Sequence, residues 1–177
     1  MRKLIGIVTL GLLMAAAPVA EAQKASFWLG AGLTMPMGDY GDGASTGFHG
    51  LGAVSFGLGT GPLGVRVEGM YNRTGLEQGV DGNTSILGGM ASLLYTFPSK
   101  GTVRPYVLGG VGYYQQKIEA TVPGFSVDTS ESNAGFGGGA GLLLALKATS
   151  LFAEVRYISV SGDTFVPITA GIRFGGK

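Results

Sequence analysis

Five charged residues sit inside otherwise apolar stretches. Arg66 and Glu68 are one residue apart within Leu63–Asn72, Glu154 and Arg156 repeat that spacing within Leu151–Ile158, and Arg173 interrupts the run Val166–Phe174. In an extended strand alternate side chains share a face, so Arg66 and Glu68 leave one side while Val65 and Val67 leave the other. Paired carboxylates are the groups of glycosidic acid–base chemistry, and a row of charges suits a pore lining. Satisfied ion pairs in a closed interior account for the same residues without either, and that reading is preferred. The runs Leu151–Ile158 and Val166–Phe174 are neighbours in sequence, so Glu154 with Arg173 is the first pair expected.

Other candidates are weaker. His49 is the only histidine, and with Ser45 or Ser55 it raises the question of a nucleophile with its base. Neither spacing matches a hydrolase pattern, so His49 is read as a polar residue of an interfacial rim. Asp39 and Asp42, in Asp39-Tyr-Gly-Asp-Gly43, could attract calcium or magnesium but lack the ligand spacing of an EF-hand. Gly135-Phe-Gly-Gly-Gly-Ala140 matches a loose dinucleotide fingerprint, yet a polar loop rather than a strand precedes it and no βαβ unit follows. No catalytic, cofactor-binding or metal-binding residue is assigned.

The elements that would carry these residues are strands. After residue 25 the chain offers eight segments of alternating or apolar character near 26–35, 47–58, 63–72, 84–97, 103–116, 134–146, 151–158 and 165–174. Val103–Gln116 shows the plan best, with Tyr106 near one end, Tyr113 and Tyr114 at the other, and an apolar, glycine-rich middle. A strand of about ten residues with aromatic ends suits a tilted crossing of a bilayer. Connections alternate: residues 36–46, 73–83, 117–133 and 159–164 are the longer ones, and 59–62, 98–102 and 147–150 are brief turns. Aromatic residues gather at strand ends, as interfacial belts require, with only Tyr40 and Phe125 left in loops.

Charge follows the same division. Asp39, Asp42, Glu77, Asp81, Glu119, Asp128, Glu131 and Asp163 fall in the longer connections, against Arg73 and Lys117. Lys24, Lys100, Arg104, Lys147 and Lys177 fall near the turns and termini, with no carboxylate. A charge at mid-strand on a lipid-facing side would cost about 2–4 kcal/mol, so the faces bearing Arg66, Glu68, Glu154, Arg156 and Arg173 must point inward. An eight-stranded barrel is narrow enough for side chains to fill it.

Composition excludes several classes. Glycine supplies 34 of 177 residues, but interleaved with Val, Ile, Leu, Phe and Tyr and with only 13% charged residues, which argues against disorder. There is no cysteine, so neither disulfides nor thiolate metal sites arise. A near-neutral charge with acidic loops gives no support to nucleic-acid binding. Arg2, Lys3, the apolar run Leu4–Ala17 and Ala20-Glu-Ala22 have the form of a secretory signal, so residues 1–22 are read as a signal peptide and 23–177 as the barrel domain.

Leu63-Gly-Val-Arg-Val-Glu68, Arg104-Pro-Tyr106, Gly109-Gly-Val-Gly112, Glu154-Val-Arg-Tyr157 and Gly171-Ile-Arg-Phe174 resemble features of the small outer-membrane β-barrel family, of OmpA, OmpX and opacity-protein type. Many such barrels end on the aromatic residue, whereas here Gly175, Gly176 and Lys177 follow Phe174. The resemblance implies an all-β fold, an eight-stranded antiparallel up-and-down transmembrane β-barrel in the outer membrane with both termini periplasmic. It implies a non-enzymatic structural or surface-interaction role with at most slight small-solute permeability. Its implied partners are outer-membrane lipid, lipopolysaccharide and the barrel-assembly machinery, with the protein a monomer and without a cofactor. Two rival readings are a soluble lipocalin-like binder, which would need an apolar cavity and a polar exterior, and a lipid-modifying barrel enzyme centred on His49.

Overall fold

Period-two alternation organises the chain into eight strands in the computed structural model, which describes residues 25–38, 41, 45–75, 81–122 and 125–176, without the side chains of 81–83 and 118–128. They are β1 (Ser26–Met37), β2 (Gly47–Gly57), β3 (Leu63–Gly75), β4 (Asp81–Thr96), β5 (Val103–Val122), β6 (Phe125–Ala145), β7 (Thr149–Val160) and β8 (Asp163–Gly175). Each pairs antiparallel with the next, and β1 pairs with β8 from Ser26↔Gly175 to Met37↔Thr164. The sheet is therefore a closed barrel without lateral edges along its wall, the arrangement that satisfies backbone groups in lipid. The segment expected to be a signal peptide lies outside the described residues, as does the Asp39–Asp42 pair.

Burial alternates strictly along β3 and β7. Gly64, Arg66, Glu68, Met70 and Asn72 point inward, and so do Phe152, Glu154, Arg156 and Ile158. The outer surface is apolar: Val111 is 68% exposed, and Leu93 and Phe136 are each 60% exposed. A polar interior inside an apolar wall is the reverse of a lipocalin-type binder.

Two expectations change, besides the connection at 159–164, which is only the two-residue turn Ser161-Gly162 because β7 and β8 pair as far as Val160↔Asp163. The long connection at 117–133 is mostly strand, since β5 and β6 continue their ladder to Val122↔Phe125, and β4 follows to Asp81↔Thr121. The sequence there turns polar, which marks where a strand leaves lipid, but Ile118, Thr121, Val122, Val127 and Thr129 keep its β-propensity high. Because β6 pairs with β7 only as far as Gly135↔Val160, a β4–β5–β6 sheet rises past its neighbours at the long-loop end.

The second change concerns the aromatics. Phe27, Phe56, Phe97 and Phe174 face outward at the short-turn rim, and Phe48, Tyr71, Tyr113, Phe136 and Tyr157 do so at the other. Trp28, Tyr106, Phe152, Tyr114 and Phe165, also read as belt residues, are buried inside. Position along a strand sets height, whereas parity sets the face, so the adjacent pairs Phe27-Trp28 and Tyr113-Tyr114 divide between lipid and lumen. Inward aromatics need space opposite them. A Cβ on Gly88 would strike the Tyr114 ring, and one on Gly141 the Tyr106 ring.

Candidate functional site

Four of the five predicted charges meet inside the barrel. In an eight-membered closed order β3 and β7 stand opposite one another, so their i, i+2 charge pairs reach across the lumen. Arg66 donates in bidentate fashion to Glu154, Nη1 to Oε2 at 2.7 Å and Nη2 to Oε1 at 3.0 Å. It also donates from Nε to Glu68 Oε2 at 2.8 Å. Arg156 closes the ring by donating from Nη1 to Glu68 Oε1. Its Nε lies 2.9 Å from Glu154 Oε1, within ion-pair distance though not aligned as a hydrogen bond. The four side chains are essentially fully buried.

Neighbours complete the network. Tyr106 donates its hydroxyl to Glu154 Oε2 at 2.8 Å, and Arg156 Nη2 lies 3.4 Å from the Met70 sulfur. The Arg66 guanidinium sits 5.0 Å from the Trp28 ring centroid, and Trp28 donates from Nε1 to Ser55 Oγ at 2.9 Å. Trp28 in turn meets Tyr106 and Phe152 edge-on, at 5.8 and 5.1 Å between centroids. Two positive and two negative charges balance, and each carboxylate lies against both guanidiniums. That arrangement offsets part of the desolvation that burying ions entails.

Arg173 is not part of it. The expected Glu154–Arg173 pair does not form: Glu154 is in register with Thr169, whereas Arg173 is opposite Ser150, further toward the short turns. Strand adjacency is the wrong criterion, because residues at one height on facing strands are closer partners than residues at different heights on neighbouring ones. Arg173 donates instead to Ser26 Oγ at 2.8 Å and lies 5.3 Å from the Trp28 centroid.

His49 also departs from expectation. It is 2% exposed and lines the lumen on the long-loop side of the charges, where alternation along β2 turns it inward. Thr34 donates its only hydroxyl proton to Asn72 Oδ1 at 2.6 Å. With the ring neutral, the 2.9 Å contact from His49 Nδ1 to Thr34 therefore makes Nδ1 the donor, and Nε2 accepts from Thr169 at 2.8 Å. Neither serine is its partner: Ser45 donates to the Gly75 carbonyl, and Ser55 binds Trp28. The glycine fingerprint lies within β6, paired on both sides, and forms no phosphate loop. Among the described residues no three potential metal ligands are grouped.

The barrel is similar to several solved ones. A family model described as outer membrane protein β-barrel domain matches residues 7–174. A major outer membrane protein from Thermus thermophilus is 17% identical, over 88% of this chain and 100% of that one, with a TM-score of 0.67. Neisserial surface protein A (NspA) is 18% identical over 86% of this chain and 96% of its own, with a TM-score of 0.61. Ail, the attachment invasion locus protein of Yersinia pestis, is 18% identical over 86% and 99%, with a TM-score of 0.59. No curated protein sequence matches the chain.

Proposed function

The chain belongs to the outer membrane protein β-barrel family, an integral protein of the outer membrane, and on that premise we propose that it is a sealed, monomeric scaffold acting at the cell surface rather than a pore or an enzyme. The observation that carries this reading is the Arg66–Glu68–Arg156–Glu154 ring, which spans the lumen between facing strands and leaves its charges engaged with one another. Charges so committed are poor selectivity elements and poor catalysts, and their role is to fill and fix the interior. The β4–β5–β6 sheet beyond the rim then carries the contacts with the outside, set among lipopolysaccharide. Ail is named for attachment and invasion, and a surface-interaction role for this chain agrees with that name.

Planar-bilayer recording of the refolded protein tests the reading. Inserted barrels are expected to show no discrete openings; regular openings would make the five lumen charges selectivity determinants and overturn it. Delivery calls for export on residues 1–22, with cleavage after Ala22, followed by folding on the barrel-assembly machinery. Mass spectrometry of the membrane-extracted protein should then give an N-terminus at Gln23.

A further inference from the structure

We propose that the short-turn mouth of the lumen binds a phosphate-bearing anion, held by Arg173, Arg104 and the hydroxyl of Ser26. The four-charge ring is neutral within itself, and Arg173 stands outside it. Among the described residues no carboxylate lies within ion-pair distance of its guanidinium, whose Nη2 donates to Ser26 while its Nε is buried without a partner. Arg104 enters from β5, in register with inward-facing Leu143 and two residues from buried Tyr106. Its alternation therefore turns it to the same mouth, where it is exposed.

The surroundings reinforce this positive pair. The neighbouring turns carry Lys100 and Lys147, and among the described residues of the turns and strand ends on this side there is no Asp or Glu. Beneath the mouth Trp28 lies edge-on to Tyr106, 5.8 Å between centroids, with the Arg66 guanidinium 5.0 Å from its ring. The chain itself passes close over it. Gly176, at φ +75°, packs so near that a Cβ there would strike both the Arg173 guanidinium and Ser26 Oγ. Two guanidiniums approaching from different strands need acceptors in several directions, which a phosphate group offers and a lone carboxylate does not.

Trp28 is the only tryptophan and touches Arg173, so its fluorescence reports the site directly. The protein, refolded in a phosphate-free zwitterionic detergent, is titrated with inorganic pyrophosphate at constant ionic strength, and separately with micelles doped with phosphatidylglycerol or phosphatidylcholine. A saturable change in Trp28 emission with pyrophosphate supports a soluble phosphate ligand; a change only with phosphatidylglycerol supports a lipid headgroup. Arg173→Gln should abolish either response. Arg104→Gln, at an exposed position, should raise the half-saturation concentration about tenfold, the loss of one charge-assisted contact. Lys147→Gln should leave it nearly unchanged, and heat-modifiable gel mobility confirms that each variant folds. No response to either probe, an equal response to chloride, or a wild-type response from Arg104→Gln would overturn the proposal.

Discussion

Glu154 is the residue on which most of the lumen converges: it accepts two bonds from Arg66 and one from Tyr106, and Arg156 approaches its other oxygen. Removing it strands two buried guanidiniums that have only Glu68 left to share. Breaking a buried pair by deleting one partner costs about 3–5 kcal/mol, so Glu154→Ala is expected to lower the unfolding free energy in urea by that amount. The double variant Arg66→Ala/Glu154→Ala should lose much less than the sum of the single losses, because each side chain's absence removes the other's penalty. Additive losses would mean that the two do not act as a unit. That these charges face inward was legible from spacing alone, since lipid forbids the opposite face. Which of them meet was not, because nothing in a strand's sequence states its height relative to the strand across the lumen.

Strands carry a second constraint in their glycines, which the two faces use differently. Gly88 on β4 opens inward onto the Tyr114 ring, and a methyl there collides with it; Gly50 on β2 opens outward, and a Cβ there meets nothing within 4 Å. Gly88→Ala is therefore expected to destabilise the barrel by about 1–3 kcal/mol, as overpacking does. Gly50→Ala should stay within about 0.5 kcal/mol of the wild type, as a surface change does. Equal effects in a urea titration would show that Tyr114 has room to move. Strand starts at the short turns were readable, because Gly59–Pro62 and Pro98–Thr102 break the pattern sharply. Outer strand ends were not, since a ladder that leaves lipid keeps its hydrogen bonds while losing the apolar alternation that reveals it. The upper β5–β6 hairpin continues the ladder of the wall beyond its lipid-facing part. Deleting Glu119–Asp128 and rejoining the ends with a two-residue turn should preserve heat-modifiable folding, and failure to fold would make the hairpin part of the assembly nucleus.

At the scale of the whole molecule, an apolar wall separates the short-turn end, which carries Lys100, Arg104 and Lys147, from the long-loop end, and the depth and the direction of insertion can each be tested. Val111 lies near the middle of the lipid-facing part of β5 and is the most exposed large apolar residue among the described residues. Val111→Arg should reduce stability in lipid vesicles by about 2–4 kcal/mol, whereas arginine at a rim position such as Phe97 should cost only about 0–1 kcal/mol, since the penalty falls toward the interfaces. Equal costs at the two sites would mean that the band is misplaced along the barrel. Direction can be read because the chain contains no cysteine, so one introduced residue reports alone. Ser130 is exposed on the upper part of β6, and Ser99 is exposed in the turn between β4 and β5. If the short turns are periplasmic, a membrane-impermeant maleimide should label Ser130→Cys on intact cells and reach Ser99→Cys only after the outer membrane is opened. The reverse pattern would place the basic mouth of Arg104 and Arg173 outside the cell, and with it the proposed anion site.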